Sequence, residues 1–178
     1  MSDKKAGKLE LLVRRNKGRV EYPYYATELS HILKVKVGPA DVLDLEATDR
    51  LFAQHLENST RSSMQADFSF KKAWKHEPVT DWLRACQCLG ERLRGERAVL
   101  FAGPYEFCGG VRVDPDRALK AAVDLLTFDQ NTLRLQSDSS ESGLFVDLYE
   151  EASEWLIELI AWGGWKQLAE ECVLMTTR

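Results

Sequence analysis

Carboxylates near the carboxyl end form the densest group of side chains in this chain that could do chemistry. Five of them fall within one short segment, at Asp147, Glu150, Glu151, Glu154 and Glu158. Carboxylate oxygens bind hard divalent cations, so a metal-dependent hydrolase is one hypothesis for the protein. A hydrolytic site usually draws its ligands from several elements and adds a base, whereas these residues share one segment. The pattern therefore favours a charged surface over a catalytic centre.

Side chains that could serve as nucleophiles or bases match no catalytic motif. The three histidines stand far apart and lack the spacing of metal ligands, and the sequence contains no Gly-x-Ser-x-Gly elbow. Ser69 and Lys72 have a Ser-x-x-Lys spacing, but the companion motifs of penicillin-recognising enzymes are absent. The glycines match neither a dinucleotide fingerprint nor a phosphate loop. We therefore predict no bound metal or cofactor and favour a non-catalytic protein.

Charge is distributed unevenly along the chain. Residues 114–171 contain 13 acidic and 4 basic side chains, whereas residues 1–36 contain 9 basic and 4 acidic ones. The net charge of −4 conceals this asymmetry, which can steer a charged partner. Aromatic residues such as Phe145, Tyr149 and Trp162 lie among the carboxylates. An acidic and aromatic surface suits a basic protein partner, because the charges speed encounter and the rings hold the complex.

Alternating hydrophobicity predicts the elements that carry these residues. Residues 132–136 and 144–149 alternate and flank a turn-rich stretch at 138–143, as in a β-hairpin. Residues 155–162 fit either a strand or a helix. We favour a strand that adds a third member to a meander after a short Ala152-Ser153 turn.

In that meander, alternate residues face opposite sides of the sheet. The side predicted to face the core carries Leu133, Leu135, Leu144, Val146, Leu148, Ile157 and Leu159. The opposite side carries Arg134, Phe145, Asp147, Tyr149, Glu151, Glu158, Ile160 and Trp162. In the alternative arrangement, a helix at 78–94 or 115–127 covers this second side and leaves a charged rim.

Helices are predicted at 46–57, 78–94, 115–127 and 165–172, with a further strand at 97–101. The helix at 78–94 has the clearest apolar stripe, formed by Trp82, Cys86, Leu89 and Leu93. The fold class is therefore predicted as α+β, a single domain with an antiparallel C-terminal meander packed against several helices.

The N-terminal region is harder to assign. Residues 1–8 are predicted to be a flexible basic tail, and residues 9–178 a single α+β domain. A strand is predicted at 8–13, the tyrosines and proline at 22–25 are predicted to break any helix, and residues 27–37 fit either a helix or a strand. Residues 58–66 are polar and are predicted to be a loop.

A basic cluster in this region suggests nucleic-acid binding as an alternative function. Arg14, Arg15, Lys17 and Arg19 could neutralise phosphates, and the tyrosines that follow could stack on bases. The acidic pI of about 5.5 opposes this alternative, since only a local patch would attract nucleic acid.

Four scattered cysteines and the absence of a long apolar run bear on location. The N-terminal residues do not form the apolar core of a secretory signal, and no stretch approaches the length needed to span a bilayer. We therefore expect a cytoplasmic protein that is not in the membrane, with Cys86, Cys88, Cys108 and Cys172 as thiols. Cys86 is expected in the core and Cys88 near the surface, because residues two apart on a helix point in different directions.

The favoured hypothesis is a non-catalytic protein-binding module, in particular an inhibitor or immunity-type protein that masks a basic partner. The residues predicted to bind the partner are Phe145, Asp147, Tyr149, Glu151, Glu158 and Trp162. The carboxylate-based hydrolase and the nucleic-acid-associated protein remain the alternatives. The oligomeric state is not predicted.

Overall fold

The computed structural model describes residues 2–75 and 80–176, with side chains for 7–75 and 81–176. Six strands form one antiparallel sheet in the order β1-β6-β5-β4-β2-β3. The strands are β1 (Ser69–Lys75), β2 (Ala98–Phe101), β3 (Val111–Val113), β4 (Thr132–Ser137), β5 (Gly143–Glu151) and β6 (Glu154–Trp162). Together with the helices they form a single α+β domain, as predicted.

The helices are unequal in length. They are α1 (Ser2–Leu33), α2 (Leu45–Met64), α3 (Thr80–Arg92), α4 (Tyr105–Cys108), α5 (Pro115–Lys120), α6 (Ala122–Phe128) and α7 (Gly164–Thr176), with a 3-10 turn at Pro39–Asp41. Asp44 caps α2 by accepting a hydrogen bond from the amide of Ala47, and Asp114 caps α5 by accepting one from the amide of Asp116.

The main core lies on one face of the sheet, under α1, α3, α5, α6 and α7. Tyr25 and Leu29 of α1 pack there with Trp82 of α3 and Trp165 of α7. Of the seven meander residues predicted to face the core, six are buried and Leu148 is partly buried against the same cluster. The predicted alternation is therefore confirmed, since a one-residue slip would have reversed the two faces.

The opposite face of the sheet is crossed by α2. Near its start, the Thr48 hydroxyl accepts from the amide of Gly110, which lies just before β3. Near its end, the Ser62 carbonyl accepts from the hydroxyl of Ser69 at the start of β1. Because β3 and β1 are the two edges of the sheet, α2 spans the sheet's full width and buries a second, smaller cluster of Leu43, Val99 and Phe101.

Several predicted elements are confirmed. The hairpin has its strands at β4 and β5, and residues 155–162 lie in β6, a third strand that follows a two-residue turn. Ala152 and Ser153 of that turn both have positive φ, at 49° and 65°, as a tight hairpin turn requires. The helices predicted at 78–94 and 165–172 correspond to α3 and α7, with positions 78 and 79 outside the described residues, and the strand predicted at 97–101 is β2.

The predictions for the N-terminal region are wrong in two respects. Residues 8–13 are helical and not a strand, and Pro23 lies inside α1. A proline removes one backbone donor and disfavours a helix interior. The turns after it are held by burial, since Tyr25, Leu29 and Leu33 are all in the core. Residues 2–8 belong to the same helix, and the predicted flexibility of this segment stays a prediction.

Two other boundaries differ from those predicted. The polar segment at 58–66 is not a loop throughout, because α2 continues to Met64. The helix predicted at 115–127 is broken at Ala121, whose amide points to the carbonyls of both Arg117 and Ala118. The shared hydrogen bond tightens the backbone there and separates α5 from α6.

A disulfide joins Cys88 of α3 to Cys172 of α7, with a Cα–Cα distance of 5.6 Å. The prediction of four free thiols is wrong for this pair, and Cys86 and Cys108 are free and buried. The predicted orientation is confirmed, because Cys86 is fully buried while Cys88 is only partly so.

Candidate protein-binding surface

The predicted acidic and aromatic side of the meander is divided by α2. Trp162 is fully buried and its ring centroid lies 5.1 Å from that of His55 on α2. Ile160 is buried as well. The prediction that Trp162 is an exposed anchor is therefore wrong. The helix that covers it is α2. It is not one of the two helices, at 78–94 and 115–127, that were considered for this position from the sequence.

The part of this side beyond α2 remains accessible. We call the residues Asp147, Tyr149, Leu156 and Glu158 the open sheet face. They lie on β5 and β6 in directly opposed pairs, Asp147 with Glu158 and Tyr149 with Leu156. All four are half-buried. Leu156 was not among the predicted binding residues, although its place opposite Tyr149 follows from the register of the hairpin.

Asp147 and Glu158 are like charges in directly opposed positions. No described cation lies within ion-pairing distance of either carboxylate, within residues 7–75 and 81–176. Burial raises the pKa of Asp147, and the positive charge of Arg134 opposes that increase. Like charges directly opposite each other destabilise a sheet. Lys71 and Lys75 of β1 are diagonal neighbours of Glu158 on this face but pair with neither carboxylate, so the couple can accept a cation from outside the molecule.

The remaining carboxylates of the segment do not converge on one point. Glu151 is exposed at the far end of the hairpin, opposite Glu154, which is paired with Lys75 at 2.7 Å. Glu150 is opposite Trp155, on the other face of the sheet. Among the described residues, no group of three or more His, Cys, Asp and Glu side chains is arranged to hold a metal ion. The carboxylates thus form an extended surface.

Phe145 marks the boundary between the covered and open parts of this side. One of its neighbours is His55, at 6.4 Å between ring centroids, and another is the Arg134 guanidinium, 5.7 Å from its ring centroid. The phenyl ring is half-buried. Only the edge of the Phe145 ring is therefore accessible for contact with a partner.

A cleft of about 560 Å³ adjoins Arg134, between α1, α4 and the loop before β4. Asp129 organises its wall by accepting hydrogen bonds from the Gly103 amide at 2.8 Å, the Thr132 hydroxyl at 2.9 Å and Arg134 at 2.5 Å. Burial raises the pKa of Asp129, while the Arg134 charge opposes that increase. Asp129 was not identified from the sequence, because it is a lone carboxylate between α6 and β4 whose contact with Gly103, 26 residues away, appears only in the fold.

His55 is a buried polar residue within the aromatic cluster under α2. Phe101, Phe145 and Trp162 surround its ring. Its ring nitrogens make no hydrogen bond of good geometry to a described residue, but the nearby Gln136 side chain acts to raise the pKa of His55. Burial, and next the positive charge of Arg134, lower the pKa of His55 to about 4. The imidazole is therefore neutral at pH 7 and serves packing, not surface recognition.

The basic cluster of α1 is mostly engaged within the molecule. Arg14 makes a two-point ion pair with Asp49, at 2.7 Å and 2.8 Å, and Arg15 lies 3.5 Å from Glu46. The ammonium of Lys17 lies over a phenylalanine ring and near a glutamate. Arg19 is exposed and has no ion pair within the described part of the chain. These pairings leave a much weaker positive patch than the sequence suggests.

Comparison with known proteins finds no matching family model, no matching curated protein and no matching solved structure. Separately, none of the helices at 2–75 and 80–176 has the length and apolar character needed to cross a membrane.

Proposed function

We propose that this protein is a non-catalytic protein-binding module whose open sheet face binds a basic protein. The observation that carries the proposal is the unpaired, directly opposed couple of Asp147 and Glu158. A lysine or arginine of a partner placed between the two carboxylates would turn their repulsion into two charge-assisted hydrogen bonds. The repulsion between the two carboxylates is therefore relieved only when the partner is bound.

The neighbours of the couple suit the same partner. Tyr149 and Leu156 continue the open sheet face as a directly opposed apolar pair, and Tyr149 adds a hydroxyl at its rim. Rings and apolar groups next to charges supply the desolvated contacts that slow dissociation. Glu151, exposed at the end of the hairpin, extends the negative field and would act mainly on the rate of encounter.

The specific form we propose is an inhibitor or immunity-type protein that masks a basic site of a toxin or nuclease. An acidic sheet surface is suited to covering such a site, because its carboxylates complement the basic residues there. A cytoplasmic location stays a prediction. The Cys88–Cys172 disulfide weighs against it, because disulfides persist mainly in oxidising compartments.

The proposal is tested by capturing a partner from the source cells with the tagged chain and then measuring binding to the purified partner. Glu158→Lys and Asp147→Lys should slow association by about tenfold or more at low salt, with a smaller effect at high salt. Glu170→Lys is the matched control, because Glu170 is an exposed carboxylate on α7. Tyr149→Ala should speed dissociation without changing the salt dependence.

Unchanged association and dissociation rates for all three variants of the open sheet face would refute the proposal. Equal slowing by Glu170→Lys would also refute it, because the effect would then reflect net charge and not this surface.

A further inference from the structure

Helix α1 carries an apolar surface that the fold leaves open. Its members are between 55% and 80% exposed, and at 100° per residue they fall within about 120° of one another around the helix. We call them the α1 stripe: Leu9, Leu12, Val13, Val20 and Tyr24. Single exposed apolar residues are ordinary, whereas a contiguous set on one face marks an interaction surface.

The opposite side of α1 contacts the rest of the protein. Gly18 lies so close to α4 that a Cβ atom there would be 2.1 Å from the Phe107 carbonyl oxygen. Tyr25 is fully buried and donates to the Gly109 carbonyl at 3.1 Å. Both residues lie roughly 160–180° around the helix from Leu9. The stripe therefore points away from the domain, and no described residue covers it.

The stripe also begins where α1 has least support. The first ion pair from α1 to another described element is that of Arg14 with Asp49, so Leu9, Leu12 and Val13 precede any such anchor. A free helix of fewer than about 12–15 residues is only marginally stable in water. An apolar partner along the stripe would stabilise these turns.

We propose that the partner is a second copy of this chain, whose α1 packs antiparallel to the first along the stripe. Positions 9, 13, 16 and 20 follow the four-three-four spacing of a coiled-coil seam. The pairing that buries all four places Leu9 against Val20 of the partner subunit, and Val13 against Asn16 of the partner subunit. Asn16 has no polar partner in this layer, so its amide must stay hydrogen-bonded to water at the edge of the seam, at a cost in stability.

Charge selects this register over its neighbours. Glu10 and Lys17 occupy equivalent flanking positions one heptad apart. In the proposed register, Glu10 lies beside Lys17 of the partner subunit, whose ammonium must leave the Phe107 ring and Glu21 of its own chain to make this contact, and the contact occurs twice by symmetry. A shift of one heptad in either direction would instead bring two glutamates or two lysines together, which is unfavourable. The chain is thus complementary to itself in one antiparallel arrangement.

Sedimentation velocity of the full chain over a range of concentrations tests the proposal. The parent should pass from monomer to dimer, and Val20→Glu should raise the dimer dissociation constant by about tenfold or more, since it places a charge in the seam. Val123→Glu is the matched control, because Val123 is an exposed valine of α6, outside the stripe. Circular dichroism of each variant monomer verifies that the fold is retained.

Two further variants test the orientation. Glu10→Lys and Lys17→Glu should each weaken dimerisation, and the double variant should restore it to within about threefold of the parent, as expected for a directly coupled pair. Chains with Leu9→Cys should form a disulfide with chains carrying Val20→Cys, and neither should cross-link efficiently alone.

A chain that stays monomeric at every concentration would overturn the proposal, as would binding to anionic vesicles without self-association. Efficient cross-linking of Val20→Cys alone would overturn the antiparallel arrangement. The test is independent of the proposed function, since Glu158→Lys should dimerise like the parent. Failure of one proposal therefore leaves the other intact.

Discussion

Asp147 and Glu158 are paired across β5 and β6 with their carboxylates on the same face of the sheet. No cation of the described chain is paired with either one. The couple is a local weakness in an otherwise well-packed meander, which is the kind of feature that binding sites retain at the expense of stability.

Removing one charge of this couple should stabilise the free protein. We expect Glu158→Gln to raise the free energy of unfolding by about 0.2–1 kcal/mol, because it removes repulsion between directly opposed residues. Urea unfolding at low ionic strength measures the change. Glu170→Gln on α7 should leave stability within about 0.5 kcal/mol of the parent. A destabilised Glu158→Gln variant would contradict the repulsion argument.

His55 should make the protein sensitive to mild acid. Its folded pKa of about 4 lies below the ordinary value of 6.5, so the folded state resists protonation. The free energy of unfolding should therefore have its full value above about pH 6.5 and fall by roughly 3 kcal/mol as the pH drops to about 4. Guanidinium unfolding at intervals between pH 7 and pH 4 measures the loss.

His55→Phe is the matching variant, because phenylalanine suits the surrounding rings and cannot be protonated. It should flatten the dependence of the free energy of unfolding on pH between pH 6.5 and pH 4. The same slope in parent and variant would assign the acid sensitivity to other groups.

The Cys88–Cys172 disulfide should contribute substantially to stability. The two residues are 84 apart in sequence, and closing a long loop restricts the unfolded chain. We expect Cys88→Ser with Cys172→Ser to lower the free energy of unfolding by about 2–4 kcal/mol. A reducing agent should lower the melting temperature of the parent but not that of the double variant. Equal sensitivity of both proteins would contradict the assignment.

Two tryptophans allow a matched comparison of burial. Trp82 is 2% exposed in the core between α3 and the sheet, whereas Trp155 is 48% exposed near the hairpin end. Trp82→Ala should lower the free energy of unfolding by about 3–5 kcal/mol, and Trp155→Ala should change it by no more than about 0.5 kcal/mol. Denaturant unfolding of both variants measures this difference. Similar costs for the two substitutions would be inconsistent with the packing described.

The elements that could be predicted from the sequence depend on local patterns. The hairpin of β4 and β5 follows from alternation on each side of one turn, and α3 follows from a stripe of four apolar residues. In both cases, neighbouring residues determine which face is buried. The predicted core side of the meander was correct for the same reason.

The elements that could not be predicted depend on contacts between distant residues. Pro23 argues locally against a helix, and only the burial of Tyr25 and Leu29 under other elements overrides that preference. Trp162 lies on the side of the meander predicted to be open, yet α2 covers it from more than a hundred positions away along the chain. The partner of Cys88 is equally remote. The extent of the open sheet face therefore depends on α2, whose position does not follow from any local sequence pattern.

The disulfide also makes a covalent ring of the chain between residues 88 and 172. Strands β2 to β6 lie inside that ring, whereas α1, α2 and β1 lie outside it. A protease that cuts once within the ring, for example at the exposed turn of Ala152 and Ser153, would leave the two pieces in one molecule. The parent would then migrate as a single species without reductant and as two fragments with it, because β5 and β6 would stay in one molecule after the first cleavage.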